Sequence, residues 1–282
     1  MKKFENKKIA FLGPRGTFTE EALLSAISVK EENLIPYSTV YDVIKAVEND
    51  EVEKGIIPIE NSIEGSVNAT LDVLTFDAND LYIEHEVISS ISHRLIVKPG
   101  VRFKDVTTVV SHPQATAQCR KYLAKNFSGV EVLASNSTAD AVRRVAEGNS
   151  HTAAIGTALA AKLYGLEVLE TDIEDFKDNE TRFVLLGKEP AERTGKDKTS
   201  IVVFIYEDRP GSLLQILQEF AYRYINLTKI QSRPTKKGLG DYCFWIDMEG
   251  HIEDEAVSSA IKCLKCKFRS VKVLGSYPMA KK

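Results

Sequence analysis

Four short segments hold the residue types that could do chemistry. The first is Gly13-Pro14-Arg15-Gly16-Thr17-Phe18-Thr19-Glu20-Glu21, which follows an apolar run and opens a helical pattern. Thr17 and Glu20 have capping-box spacing, and Gly16 lets a backbone come close to a ligand. A helix N-terminus draws anions through free N–H groups and its dipole. The same residues also make a plain capped strand-to-helix turn. They make no nucleotide loop, because the Gly-Lys-Ser/Thr of a P-loop and the third dinucleotide glycine are missing. The second segment is Pro58-Ile59-Glu60-Asn61-Ser62-Ile63-Glu64-Gly65-Ser66. Asn61 and Ser62 offer neutral donors beyond a strand's carboxyl end, and Glu60 or Glu64 a carboxylate. The alternative is a loop rich in caps.

The third segment is Ser111-His112-Pro113-Gln114-Ala115-Thr116-Ala117-Gln118-Cys119. Ser111 and Gln114 fit a capping box, with Pro113 in the first turn and Gln118 one turn beyond Gln114. His112 has general-base chemistry, but none of the five histidines falls into triad or metal-ligand spacing. The fourth is Asp178-Asn179-Glu180-Thr181-Arg182-Phe183, leading into Val184–Gly187. Arg182 could hold a carboxylate in its planar fork, or pair with a neighbouring acid. Thr181 could donate to a leaving oxygen. Cys263 and Cys266 form a lone Cys-x-x-Cys with no second pair, so they read as helix residues and no metal is assigned.

These segments need elements to position them. Strand-like runs at Lys8–Gly13, Leu34–Tyr37, Gly55–Glu60, Val106–Ser111, Glu131–Ser135, Thr152–Gly156 and Arg182–Gly187 alternate with helical patterns. The helical patterns cover Glu20–Ser28, Val40–Val47, Ser66–Leu74, Gln114–Ala124, Ala139–Glu147 and Ala158–Tyr164. Such alternation predicts parallel sheets covered by helices. The β-rich stretch Tyr82–Val97 breaks the rhythm and reads as a passage between lobes. The expected plan is a two-lobed α/β domain over 1–188. Its first lobe takes about 1–80 and 168–188, its second about 81–167, with a cleft between them. A polar linker follows at 189–198. Residues 199–282 then read as βαββαβ, the ferredoxin-like plan, in a small domain that gains from pairing with another copy.

Composition excludes other classes. The chain has 282 residues, 43% hydrophobic and 27% charged, which is ordinary globular usage. No apolar stretch reaches the ~20 residues of a membrane helix. The opening Met-Lys-Lys-Phe-Glu-Asn-Lys-Lys leads into a run too short for a signal-peptide core, and four cysteines make no disulfide framework, so the expected compartment is cytoplasmic. The net charge of −3 divides into −7 over 1–198 and +4 over 199–282. The basic residues are spread without interleaved aromatics, so no nucleic-acid partner is expected.

The four motifs together resemble the prephenate dehydratase family. Gly-Pro-x-Gly-Thr-Phe, Glu-Asn-Ser, Ser-His-Pro-Gln-Ala with its downstream Gln-Cys, and Asn-x-Thr-Arg-Phe occur in the family's order. The tail resembles an ACT domain through Gly211-Ser212-Leu213-Leu214 and Ser232-Arg233-Pro234, with Gln231 where the family usually has Glu. The resemblance implies a periplasmic-binding-protein-like (type II) catalytic domain with a ferredoxin-like ACT domain. It implies a lyase that converts prephenate to phenylpyruvate, with no metal and no organic cofactor. Thr181, Asn61, Ser111 and Gln118 would be catalytic, and Gly16, Thr17, Phe18, Glu60, Ser62, Arg182 and Phe183 would bind substrate. Phenylalanine would be the feedback effector, held by Gly211, Ser212, Leu213, Leu214, Asn226, Leu227, Ser232 and Arg233 in a homodimer or homotetramer. The residues leave open arogenate as substrate, or an amino-acid sensor without catalysis.

Overall fold

The computed structural model describes residues 2–4, 6–238 and 240–280. Met1 and Glu5 of the opening segment and Lys281–Lys282 of the terminal domain lie outside the described residues. The chain runs through β1 (Ile9–Leu12), α1 (Phe18–Ala26), β2 (Leu34–Tyr37), α2 (Val40–Glu48), β3 (Lys54–Asn61), α3 (Asn68–Asp72), β4 (Tyr82–Ser90), β5 (Arg94–Val97) and β6 (Thr108–Ser111). It continues through α4 (Pro113–Gln118), α5 (Arg120–Asn126), β7 (Glu131–Ala134), α6 (Thr138–Glu147), β8 (Thr152–Gly156), α7 (Ala158–Leu163), β9 (Glu167–Glu170) and β10 (Glu180–Gly187). The last third is β11 (Asp197–Phe204), α8 (Ser212–Ala221), β12 (Leu227–Pro234), β13 (Tyr242–Glu249), α9 (Glu255–Lys267) and β14 (Ser270–Pro278).

Two compact units emerge: Met1–Val43 with Ile56–Thr70 and Val87–Phe183, and Ile44–Gly55 with Leu71–Glu86 and Val184–Lys282. One sheet has the strand order β2-β1-β3-β10-β4. The first unit holds a five-stranded sheet, β7-β6-β8-β5-β9, with β6, β7 and β8 parallel and β5 antiparallel to β8. Its side chains alternate between two cores, as period-two strands must. Leu95, Val97, Val109, Ala153 and Ile155 face Ala115, Cys119 and Phe127 of the α4–α5 segment. Ile96, Val110 and Ala154 face Val142, Val145 and Ala160 of α6 and α7. Helices therefore cover both faces, as buried parallel strands require.

Three local expectations need correction. The pattern Gln114–Ala124 is two helices, because Cys119 leaves helical geometry (ψ 17°) between α4 and α5. The pattern Ser66–Leu74 is helical only from Asn68, and after Asp72 it widens into a π-helical turn, Val73–Asp77. Strand β9 has no counterpart in the sequence reading, since both its ends are exposed and it presents no apolar run.

In the second unit, β12-β13-β11-β14 form an antiparallel sheet, the order expected of βαββαβ. Ile201, Val203 and Ile205 of the β11 segment meet Ile216 and Phe220 of α8 and Val257, Ile261 and Leu264 of α9 on one face. The other face is polar yet buried: Ser200 donates to Asp247 at 2.6 Å, as does the Trp245 indole at 2.8 Å. The segment 74–86 lies against β11 and β14. Lys198 pairs with Glu86 at 2.7 Å, both nearly enclosed, and Gly275 abuts the Ile83 backbone so closely that a Cβ would lie 2.4 Å from its carbonyl oxygen. Lys272 donates to the carbonyls of Leu74 and Ala78, at the end of the widened turn.

Candidate active site

A cleft of about 470 Å³ opens within the first unit. Three helix starts border it, each built from local sequence. Thr17 caps α1 through a bond from Glu20 N–H, and Ser137 caps α6 through one from Asp140 N–H at 2.9 Å. The start of α4 differs from expectation. Its cap is His112, whose Nδ1 accepts from Gln114 N–H at 3.3 Å, and not Ser111. Ser111 is the last residue of β6, and its hydroxyl donates to the Ile155 carbonyl at 2.7 Å. A strand residue committed to its neighbour cannot also cap the next helix.

Polar side chains from four segments meet at the cleft. Asn61 Oδ1 accepts the backbone N–H groups of Ile63 and Glu64, each at 3.0 Å. Its amide nitrogen lies 2.7 Å from Asn179 Oδ1 and 2.9 Å from Thr181 Oγ1. Asn179 in turn donates to Gln118 Oε1 at 3.1 Å, and His93 Nε2 stands 3.0 Å from the same oxygen. The Gln118 amide nitrogen donates to Glu64 at 3.3 Å. Asn179 is 1% exposed, His93 2% and Thr181 7%. Such buried polar groups are costly unless every one finds a partner, so the chain of bonds rigidifies the wall it lines. Burial holds the His93 imidazole below its ordinary pKa, against the bond it makes to Gln118 Oε1, and so favours the neutral ring.

The cleft gathers Asn61, Gln118, Thr181, Thr17, Phe18 and Phe183 from the sequence-based set. Five others lie outside its lining: Ser111, Gly16, Glu60, Ser62 and Arg182. Gly16 does make a close approach, but to Ala160 and not to the cleft. At φ 85° a Cβ there would sit 2.9 Å from that of Ala160. The partner of its N–H is Glu20, at 2.6 Å. Arg182 is buried and faces Glu60, Nη1 to Oε2 at 3.2 Å. Ser62 ties the loop to β10, accepting from Glu180 N–H at 2.9 Å. His93, Asn136, Ser137 and Thr138 line the cleft unannounced by the sequence reading. His93 lies in the β-rich stretch with no motif around it, and Ser137 lies just ahead of the helical pattern Ala139–Glu147, outside every motif. Among the described residues, no lining side chain is Lys or Arg. Among the described residues, no group of three His, Cys, Asp or Glu is placed to hold a metal.

The residues expected to bind an effector lie in the second unit. Gly211 takes φ 88° before α8, where only glycine is unstrained, and Leu213 and Leu214 stand exposed in the first turn. Ser212 Oγ accepts from Arg209 N–H, and Asn226 donates to Glu249 at 3.0 Å, one residue before Leu227 opens β12. Ser232 is exposed, whereas Arg233 is engaged by Asp72, which also meets Lys236 at 3.0 Å. Burial alone would raise the Asp72 pKa, but bonds from Arg233 and Lys236 more than offset it and hold the carboxyl below its ordinary value.

Known proteins match along nearly the whole chain. The family model described as prephenate dehydratase matches residues 9–191, and that of the ACT domain 199–264. A prephenate dehydratase of Methanocaldococcus jannaschii is 42% identical over 279 residues, covering 97% of this chain and 99% of the relative. A bifunctional chorismate mutase/prephenate dehydratase of Aquifex aeolicus is 42% identical over 273 residues, covering 97% of this chain and 74% of the relative. Among solved structures, the prephenate dehydratase of Arthrobacter aurescens in complex with L-Phe superposes with a TM-score of 0.89 at 39% identity, over 96% of this chain and 89% of that one. A protein described as GqqA, a novel type of quorum quenching acylase, gives 0.85 at 28% identity, over 97% and 98%.

Proposed function

This chain belongs to the prephenate dehydratase family, and from that premise we propose how its cleft converts prephenate to phenylpyruvate, carbon dioxide and water. The carbon–carbon bond to the departing carboxylate supplies electrons to the ring. The carbon–oxygen bond opposite breaks, and the hydroxyl leaves as water once it gains a proton. Aromatisation drives the step, so the enzyme must position a dianion and ease departure of the hydroxyl.

One observation carries this reading: the Asn61–Thr181 hydrogen bond in the cleft. Backbone N–H groups only donate, so the Asn61 atom that faces Ile63 and Glu64 is its oxygen. Its nitrogen therefore faces Thr181, and Thr181 Oγ1 is an acceptor in that bond. The single hydroxyl proton of Thr181 is left for a substrate oxygen. Thr181 then donates to the leaving hydroxyl, with Glu64 or water as the proton's source. Asn61 and Gln118 orient the ring. The starts of α1 and α6 meet the carboxylates with N–H groups and no fixed cation. Neutral donors suit a carboxylate that must leave, since tight ground-state binding there would oppose decarboxylation. Ser111 supports the site from β6, and Arg182 with Glu60 fixes the loop that carries Asn61. Formation of phenylpyruvate from prephenate by the purified protein, followed by absorbance beside an arogenate control, tests the assignment. Binding without turnover would leave a sensor, and faster turnover of arogenate would change the substrate.

Residues 1–188 form the catalytic part in this reading, with lobes of about 1–80 plus 168–188 and 81–167, both of which contribute cleft lining. Residues 189–198 are the linker, whose last two residues already belong to β11, and 199–282 the regulatory domain, which binds phenylalanine in a cytoplasmic homodimer or homotetramer. The Leu213 and Leu214 N–H groups in the first turn of α8 receive the effector's carboxylate, and the Leu213, Leu214 and Leu227 side chains its ring. No described helix is long and apolar enough to cross a membrane. Calorimetry with phenylalanine tests the effector; no heat of binding at millimolar concentration would defeat it.

A further inference from the structure

We propose that His93 is a positioning residue for the reaction, acting through the Gln118 amide. The inference rests on the dehydratase reading, in which Gln118 orients the substrate. Its argument begins at the two backbone N–H groups that fix Asn61. Because they hold Asn61 Oδ1, the Asn61 nitrogen must face Asn179 Oδ1 at 2.7 Å. The Asn179 nitrogen must then face Gln118 Oε1. His93 Nε2, 3.0 Å from that oxygen, can meet it favourably only as an N–H donor. The proton of the neutral ring is thereby assigned to Nε2, and Nδ1 must be bare.

The surroundings of Nδ1 agree. It is enclosed and meets no hydrogen-bond partner among the described residues, a place where a second proton would be costly. The residue is held at two further points. Its backbone N–H donates to Glu174 at 2.8 Å, and the ring meets Phe18 edge-on at 5.4 Å between centroids. Gln118 Oε1 thus accepts two donors, from His93 and Asn179, which come from distant parts of the chain. An amide whose oxygen is fixed twice cannot turn over, and its nitrogen stays aimed at the Glu64 side. His93 supplies half of that fixation and itself lines the cleft.

The test compares His93→Phe and His93→Gln in the full-length protein, each alone and in a Gln118→Ala background. Phe keeps a flat ring without the donor, whereas Gln can place an N–H where Nε2 was. His93→Phe should lower kcat about tenfold, the equivalent of one lost hydrogen bond, with KM within threefold. His93→Gln should recover to within about threefold of the parent. In the Gln118→Ala background, His93→Phe should cost nothing further, because its effect passes through Gln118. Additive losses, or a Gln variant as impaired as the Phe variant, would overturn the proposal while prephenate turnover by the parent left the function standing. Failure of the parent to turn over prephenate would remove both. If the Phe variant does not fold, nitrogen-15 spectra of the parent still decide: a proton on Nε2 and a bare Nδ1 are expected, and the opposite tautomer refutes the assignment.

Discussion

At the scale of single residues, the direction of each hydrogen bond matters more than its length. Thr181 has one proton, and Asn61 decides that the bond between them does not consume it. Thr181→Ala should therefore lower kcat by about 10²–10³-fold, the usual cost of losing one transition-state donor, with a much smaller change in KM. Steady-state kinetics on prephenate check this, and an unchanged kcat would remove Thr181 from the mechanism. Asn61→Asp is a sharper probe. A carboxylate cannot donate, so Thr181 would turn its proton toward residue 61. Asn61→Asp should then lose about as much kcat as Thr181→Ala, and the double variant should lose little more. Arg182 is not among the cleft-lining residues and pairs with Glu60, so Arg182→Lys should weaken that pair, measured as a loss of thermal stability together with activity.

At the scale of elements, the working surface is a set of strand ends and helix starts held at fixed spacing. The turn after β1 shows how this spacing is kept. Thr157 Oγ1 donates to the Gly16 carbonyl at 2.6 Å and accepts from Ala160 N–H at 2.9 Å, so one hydroxyl caps α7 and docks the neighbouring turn. Gly16 packs directly on Ala160, at a φ that side chains rarely adopt. Gly16→Ala should cost about 1–3 kcal/mol from backbone strain and overlap, read from urea unfolding. Because Thr17 and Phe18 follow it into the cleft wall, KM should rise as well. A variant as stable and active as the parent would show that the turn has slack.

At the scale of the whole molecule, β11 is tied to β4 by buried charge. Lys198 and Glu86 are almost completely enclosed, and removing one partner would strand the other. Lys198→Met should cost about 3–5 kcal/mol, and adding Glu86→Leu should restore most of it, since a buried pair contributes little beyond its apolar replacement. Denaturant unfolding of the two variants makes the comparison. Cutting the chain at residue 199 would expose this face, so truncation is a poor test of regulation. Asp72 gives a pH-dependent counterpart. Its folded pKa is depressed, so its contribution is present above the unfolded value near ~4 and is lost as pH falls through the folded one. Asp72→Asn should lower stability by about 1 kcal/mol at pH 7, and the difference should shrink toward zero in strong acid.

The sequence by itself determined much of this. Alternation of apolar runs with helical patterns specified helices on sheets, because period-two and period-3.6 burial are local properties of the chain. The βαββαβ order of the tail was legible for the same reason. Asn61, Gln118 and Thr181 were legible because each sits in a short motif at a strand end or on the helix that follows one. Tertiary structure alone decided what those motifs touch. Ser111 and Gly16 looked like cap and ligand contact, yet their groups are spent on Ile155 and Glu20. Arg182 faces Glu60, a residue 122 positions away. His93 carries no local signal at all, since its role depends on Gln118 and Asn179, which only folding brings to it. Hydrogen-bond direction passes through space from one amide to the next, and no periodicity along the chain records it.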